Sequence, residues 1–320
     1  MNDAKRATHT LALLGVLLVF VIGAVCGVWL QRTYGVGNVL RAAGLMPDRQ
    51  VDMPPPTPTR TAVGIPAEFQ GRLALIVLAG QSNMSGWAPL PPEQELHPRA
   101  YLFGNDYLWR LASEPTDHPE GQVDLVSLDR GRELGTSPGL AFARKVLAAQ
   151  PERVVGLIPC AKGNTTIYEW QRSLSDDTLY GSCLKRIAAA STMGQLTAIL
   201  FFQGEADALD PAQAGDRVLS AYNYGDRFTQ FINDLRRDLA HPNLAVVFAQ
   251  IGSHEAPEAF TNWAVIQEEQ AAVDMPCVAM ITTDDLPLRD GVHYTTESYQ
   301  TIGERFADAY VHLLSTQECE

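Results

Sequence analysis

The sequence predicts an α/β domain built on a mostly parallel, five-stranded sheet, and two observations carry that expectation. Short apolar runs at 73–79, 154–158, 198–202, 244–251 and 277–281 recur from Arg72 onward, and strands buried on both faces read as such nearly continuous runs. Helical patterns fill the intervals, and regular alternation of strand with helix implies βαβ units around a parallel sheet.

The helices follow in order. Ser137-Pro138 reads as an N-cap with proline at the first helical position, leading into Leu140, Ala143, Val146 and Leu147 at helical spacing. Further helical patterns cover 178–190, 222–239, 259–273 and 296–314. Thr295 or Thr296 caps the last, with Glu297 close to its positive end.

Four segments precede or make up this domain: a flank at 1–10, an apolar stretch at 11–30, a stalk at 31–66 and the domain itself at 67–320. Every residue from 11 to 30 is apolar or glycine. About 20 helical residues span the roughly 30 Å hydrocarbon core of a bilayer, whereas the apolar region of a signal peptide runs to ~7–15. An uncleaved transmembrane signal anchor is therefore expected, with a cleaved signal as the alternative. Lys5, Arg6 and the terminal amine argue for a cytoplasmic amino end, against Arg32, Arg41 and Arg49 on the far side. The expected location is a single-pass membrane protein with its domain outside the cytoplasm. Pro54-Pro55-Pro56-Thr57-Pro58-Thr59 favours extended chain and suits a stalk.

The 320 residues are 46% hydrophobic and carry a formal charge of -13. Such an acidic chain lacks the basic surface that neutralises phosphates, so no nucleic-acid partner is expected. Cys26, Cys160, Cys183, Cys277 and Cys319 form no zinc-type spacing, and His254-Glu255 is not part of an HExxH helix. No metal or cofactor is implied. A disulfide between Cys160 and Cys183 stays open.

In an open parallel sheet, ligands bind beyond the carboxyl ends of the strands. Three such places carry polar chemistry. The first strand runs into Gly80-Gln81-Ser82-Asn83-Met84-Ser85-Gly86, where the glycine permits a sharp exit and the turn's N–H groups can face an oxyanion. Ser82 is the candidate nucleophile and Ser85 a more distant competitor; an ordinary polar turn is the bland alternative. Gln203-Gly204-Glu205-Ala206-Asp207 follows the third run. Gln203 offers an amide donor and Glu205 a carboxylate to orient a histidine, while Asp207 suits the satisfaction of loop N–H groups. Asp290-Gly291-Val292-His293 lies just before the last helix. A serine hydroxyl needs a base, which His293 supplies, and Asp290 can accept the proton on Nδ1 and fix the tautomer.

Taken in order, these blocks, with Gly135-Thr136-Ser137-Pro138-Gly139 and Ile158-Pro159-Cys160-Ala161-Lys162-Gly163-Asn164-Thr165-Thr166, resemble the SGNH/GDSL hydrolase superfamily. The likeness is to its branch of sialate O-acetylesterases and acetyl xylan esterases of carbohydrate esterase family six, and it covers about 72–309. The resemblance implies a flavodoxin-like three-layer α/β/α fold and release of acetyl groups from an acetylated carbohydrate through an acyl-serine. It implies Ser82, Asp290 and His293 as catalytic residues, with Glu205 as the alternative acid. It further implies an oxyanion site made by the Ser82 N–H, a glycine (Gly135, with Gly163 as rival) and the Gln203 amide. Two departures stand out. Gly163-Asn164-Thr165 replaces the family's Gly-Gly-Thr beside the expected contacts at Tyr168 and Trp170, and Phe202 replaces a tryptophan or tyrosine. A glycan O-acetyltransferase using the same triad, and an inactive glycan-binding module, are the competing readings.

Overall fold

Eight consecutive residues without a charge or a side-chain donor, Leu73–Gly80, form strand β1, buried at every position. Burial on both faces requires a strand on either side and a helix layer above and below. The other strands are β2 (Ala100–Phe103), β3 (Trp109–Leu111), β4 (Val155–Pro159), β5 (Gly194–Phe202), β6 (Ala245–Ala249) and β7 (Val278–Ile281). Their order in the sheet is β3-β2-β4-β1-β5-β6-β7, which puts β1 at the centre. All neighbours are parallel except β2 and β3, which pair antiparallel. The computed structural model describes residues 61–129 and 134–316 together with Cys319.

Seven strands therefore stand where five were expected. The five expected runs are all present, each within a few residues of its expected ends. The two additional strands lie in the segment between Trp87 and Asp117, where four residues of β2 and three of β3 are too short to show a period. Their pairing partners decide them instead. β2 runs alongside β4 in register from Ala100 with Val155, and β3 folds back on β2.

The helices are α1 (Ser82–Ser85), α2 (Pro138–Ala149), α3 (Leu179–Ala190), α4 (Tyr224–Asp238), α5 (Trp263–Ala271) and α6 (Thr296–Ser315). Two of them, α2 and α6, start at expected caps, and α3 starts at Thr178. The side chains of Ser137, Thr178 and Thr295 accept from the N–H groups of Gly139, Gly181 and Ser298; each such cap is worth about 1 kcal/mol. Helices α2 and α6 pack on one another, and Leu78 meets α2 at Gly139. On the opposite face Val77 and Ala79 meet Tyr180 and Ile187 of α3 and Phe231 and Leu235 of α4. The result is a three-layer α/β/α fold.

Residues from Thr61 belong to the same unit as the sheet. The Val63 N–H donates to the Trp109 carbonyl at 2.8 Å, and Ile65 is buried. The end of the expected stalk thus packs on the domain rather than preceding it. The expected anchor at 11–30 lies outside the described residues; among those described, no helix is long and apolar enough to cross a membrane.

Among the described residues, two disulfides close the structure. Cys160, just past β4, is joined to Cys183 of α3, and Cys277 before β7 is joined to Cys319. The first tethers the loop that carries Gly163 to the helix layer. Beside it, the buried guanidinium of Arg186 donates to Asp124 at 3.2 Å and to the Asn105 side chain and the Pro159 carbonyl. A cation held by so many acceptors fixes the carboxyl ends of β2 and β4 to α3.

Candidate active site

The site begins where β1 stops. Gly80 has φ +126°, and a Cβ there would lie 2.1 Å from the Phe202 carbonyl oxygen, so only glycine lets β1 and β5 stay this close. The chain then winds into the single turn α1, whose four residues are all buried. Ser82 and Asn83 open that turn, where N–H groups have no acceptor within the helix, and the Gln81 side chain supplies none. The Ser82 N–H is accordingly available to an incoming oxygen.

The partner comes from the loop between β7 and α6. His293 Nε2 lies 2.9 Å from Ser82 Oγ, although the two residues are 211 apart in the chain. On the other side of the ring, Nδ1 lies 2.9 Å from both carboxylate oxygens of Asp290. Asp290 also accepts from the N–H groups of Val292 at 3.1 Å and His293 at 2.9 Å. Burial alone would raise the Asp290 carboxyl, but these two N–H groups and the imidazole outweigh it and hold it below its usual range. The carboxylate is therefore ionised across the neutral and mildly acidic range, ready to hold the Nδ1 proton.

Trp87 completes this group. Its ring lies parallel to that of His293, 4.5 Å between centroids at 10°, and Arg289 donates to its carbonyl. A tryptophan face attracts a cation, which favours the imidazolium form that a general base passes through. No periodicity or motif spacing marks Trp87 in the sequence; only the approach of the 87–89 and 289–293 loops makes it part of the site. Replacing Trp87 with leucine should lower kcat by about 3- to 30-fold, the equivalent of ~0.5–2 kcal/mol of cation–π stabilisation. The acid limb of the kcat–pH profile should move to lower pH in the same variant, and an unmoved limb would leave the stack no electrostatic role.

The N–H groups of the other expected oxyanion donors have protein acceptors in this structure. Gln203 is fully buried, and its amide donates to the Thr165 carbonyl and to Asp207, each at 2.8 Å, which uses both hydrogens. In this structure Gln203 braces the 165 and 207 loops. The N–H of Gly135 donates to the Gly86 carbonyl at 2.9 Å, and that of Gly163 to Asp129 Oδ2 at 2.9 Å. Gly135 is needed for space instead, since a Cβ would sit 1.8 Å from the Ala88 carbonyl oxygen. Ser85 is buried one turn beyond Ser82, and it is Ser82 that His293 contacts.

The 163–170 loop explains one departure and revises one contact. Asn164 has φ +62°, the left-handed region that asparagine enters more readily than most residues, so it can take a conformation that glycine would otherwise supply. Tyr168 is half exposed, under the guanidinium of Arg227. Trp170, expected near the substrate, is instead in the core, with its indole N–H donating to Thr165 Oγ1 at 3.1 Å.

Glu205 does not touch His293. Its Oε1 accepts from the Asn83 amide, while Oε2 is buried with no hydrogen-bond partner. Burial pushes this carboxyl up to about 7, outweighing the hydrogen bonds from Asn83 and from its own N–H. Asp207 is likewise raised to about 6 by burial; its carboxylate accepts from Ile167 N–H at 2.7 Å and Ser220 N–H at 3.0 Å, the loop-satisfying part expected of it. An unfolded glutamate ionises near 4.5. Between that pH and about 7 the folded chain keeps a proton that the unfolded chain has released, so Glu205 makes stability fall as pH rises through this window. Glu205→Gln should therefore match the wild type at pH 4.5 and exceed it at pH 8, by on the order of 2–3 kcal/mol in urea unfolding. A difference independent of pH would show that Glu205 does not titrate there.

Residues 72–312 match the family model described as carbohydrate esterase, sialic acid-specific acetylesterase. The chain belongs to that family. This carbohydrate esterase is 31% identical over 256 residues to a probable carbohydrate esterase of Arabidopsis thaliana, covering 74% of the chain and 90% of that relative. The crystal structure of the Arabidopsis protein superposes with a TM-score of 0.63 at 30% identity, over 75% of this chain and 98% of that one. NanS has the same fold, with a TM-score of 0.56 at 16% identity over 77% and 98% of the two chains. So does XAC1771, a carbohydrate acetylesterase from Xanthomonas citri, with a TM-score of 0.53 at 19% identity over 75% and 56%. As a member of an esterase family with an SGNH-like fold, this carbohydrate esterase is a carboxylic ester hydrolase.

Proposed function

We propose that the chain removes O-acetyl groups from a carbohydrate through an acyl-Ser82 intermediate. The observation that carries this reading is the line Asp290–His293–Ser82, with 2.9 Å at each side-chain contact. Ser82 Oγ attacks the acetyl carbonyl while Nε2 takes its proton, and the Ser82 N–H faces the oxyanion. Collapse breaks the ester bond, and the imidazolium returns the proton to the departing sugar oxygen. Water, deprotonated by the same nitrogen, then attacks the acetyl-serine and releases acetate. Asp290 holds the ring in the tautomer that leaves Nε2 free to accept.

We further propose that the reaction takes place at the outer side of a membrane, with the chain tethered through 11–30. Two disulfides support an oxidising compartment, where such bonds form and persist. The apolar stretch at 11–30 supports the tether.

The test is acetate release by the purified chain from a panel of acetylated xylans, sialic acids and other glycans, wild type against Ser82→Ala. Release that depends on Ser82 supports the reading. Acetyl transfer to an added glycan in excess of acetate release would make the chain a transferase instead. Binding without turnover, unaffected by Ser82→Ala, would make it a binding module.

A further inference from the structure

The residue after the nucleophile joins three parts of the site that are distant in sequence. The Asn83 amide nitrogen donates both to Glu205 and to the Val292 carbonyl, the latter at 3.1 Å, and Val292 is the residue before His293. Its amide oxygen accepts from the Tyr299 hydroxyl of α6 at 2.7 Å. Asn83, Glu205 and Tyr299 are all buried. An amide nitrogen has two hydrogens, and here one goes to the loop of β5 and the other to the histidine loop.

We propose that Glu205 is a positioning residue for the esterase site, acting through Asn83: its carboxyl orients the amide that holds the Val292 carbonyl and so sets the approach of His293 to Ser82. This rests on the acyl-Ser82 reading above. Asp290 anchors the ring from the exposed side of the loop, through N–H groups and Nδ1, whereas Asn83 anchors the backbone from the buried side. His293 is thereby held from two directions, and the 2.9 Å contact to Ser82 is where they meet. Without Glu205 the amide has no acceptor to orient its first hydrogen, and the second loses its aim at Val292. Misplacement of a base by even about 1 Å can cost two orders of magnitude in rate. The role calls for an acceptor oxygen and not for a charge.

The experiment compares Glu205→Ala, Glu205→Gln, Asn83→Ala and the Glu205→Ala/Asn83→Ala double variant of the full chain, with p-nitrophenyl acetate as substrate. The fraction of active sites is normalised by labelling with a serine-reactive phosphonate. Glu205→Ala and Asn83→Ala should each lower kcat by about 10- to 100-fold with KM within twofold. The double variant should be no slower than the slower single one, because both remove the same pin. Glu205→Gln, which keeps an acceptor at that place, should recover most of the lost kcat. Losses that multiply in the double variant, unchanged kcat in the alanine variants, or a glutamine variant as slow as the alanine one would each overturn the proposal. If Glu205→Ala does not fold, Asn83→Ala and Glu205→Gln still decide it. A wild type that neither turns over the ester nor takes the label would instead overturn the acyl-Ser82 reading.

Discussion

Ser82→Ala should lower the turnover of an acetyl ester by about 10⁴- to 10⁶-fold, the scale seen when the nucleophile of a serine triad is removed. The size follows from what the side chain does. An alcohol held 2.9 Å from Nε2 converts one difficult hydrolysis into two easier displacements, and no neighbouring group replaces it. Ser85, the nearest other hydroxyl in the motif, is buried, and His293 contacts Ser82 instead. The fold should be unaffected, since truncating one small side chain leaves the β1–β5 pairing and the Gly80 turn in place. Loss of turnover with an unchanged unfolding transition, together with loss of phosphonate labelling, is the expected pair of results. A variant that kept more than about a tenth of the activity would place the nucleophile elsewhere.

Asp290→Asn should be the next most damaging change, at about 10²- to 10⁴-fold in kcat. Asparagine keeps the shape but can present an N–H to Nδ1, which favours the tautomer that puts the proton on Nε2, where a base must be bare. The lower end of that range reflects exposure: the Asp290 side chain is 46% accessible, so water shares in solvating the imidazolium. In the wild type the depressed carboxyl stays ionised while pH falls through the mildly acidic range, so the acid limb of kcat reports protonation of the imidazole. Its contribution to stability is present above the ordinary carboxylate range and lost only as pH drops below it. Activity in Asp290→Asn near that of the wild type would make another carboxylate the acid.

Glu205 shows why that alternative was open in the sequence and how the fold addresses it. In one dimension Gln203-Gly204-Glu205 and Asp290-Gly291-Val292-His293 both bring a carboxylate to the carboxyl edge. Three dimensions turn one toward His293 and the other toward Asn83, and the difference lies in the loop that β7 and α6 share. The same applies to Gln203. An amide following a strand suggests an oxyanion donor, but burial obliges both of its hydrogens to find acceptors, and Thr165 and Asp207 are the ones in reach.

The sequence by itself determined the sheet's five main strands, because runs such as 73–79 have no polar face and can lie only in the middle of a sandwich of helices. It also determined the cap at Ser137 and narrowed the last one to Thr295 or Thr296, since caps depend on neighbours a few residues away; the structure takes Thr295. The residues of the candidate triad were legible for the same reason: strand ends and turns carry them, and those are local features. Only the tertiary structure decided β2 and β3, whose seven residues gain their strand character from the pairing of β2 along β4 and of β3 back on β2. It alone decided which N–H groups remain free, since Gly135, Gly163 and Gln203 spend theirs on Gly86, Asp129 and Thr165, 34 or more residues away in the chain. And it alone brought Trp87 onto His293 and Asn83 between Glu205 and Val292. Contacts across more than a hundred residues leave no period in a sequence; they exist because the parallel sheet collects every βα turn at one edge.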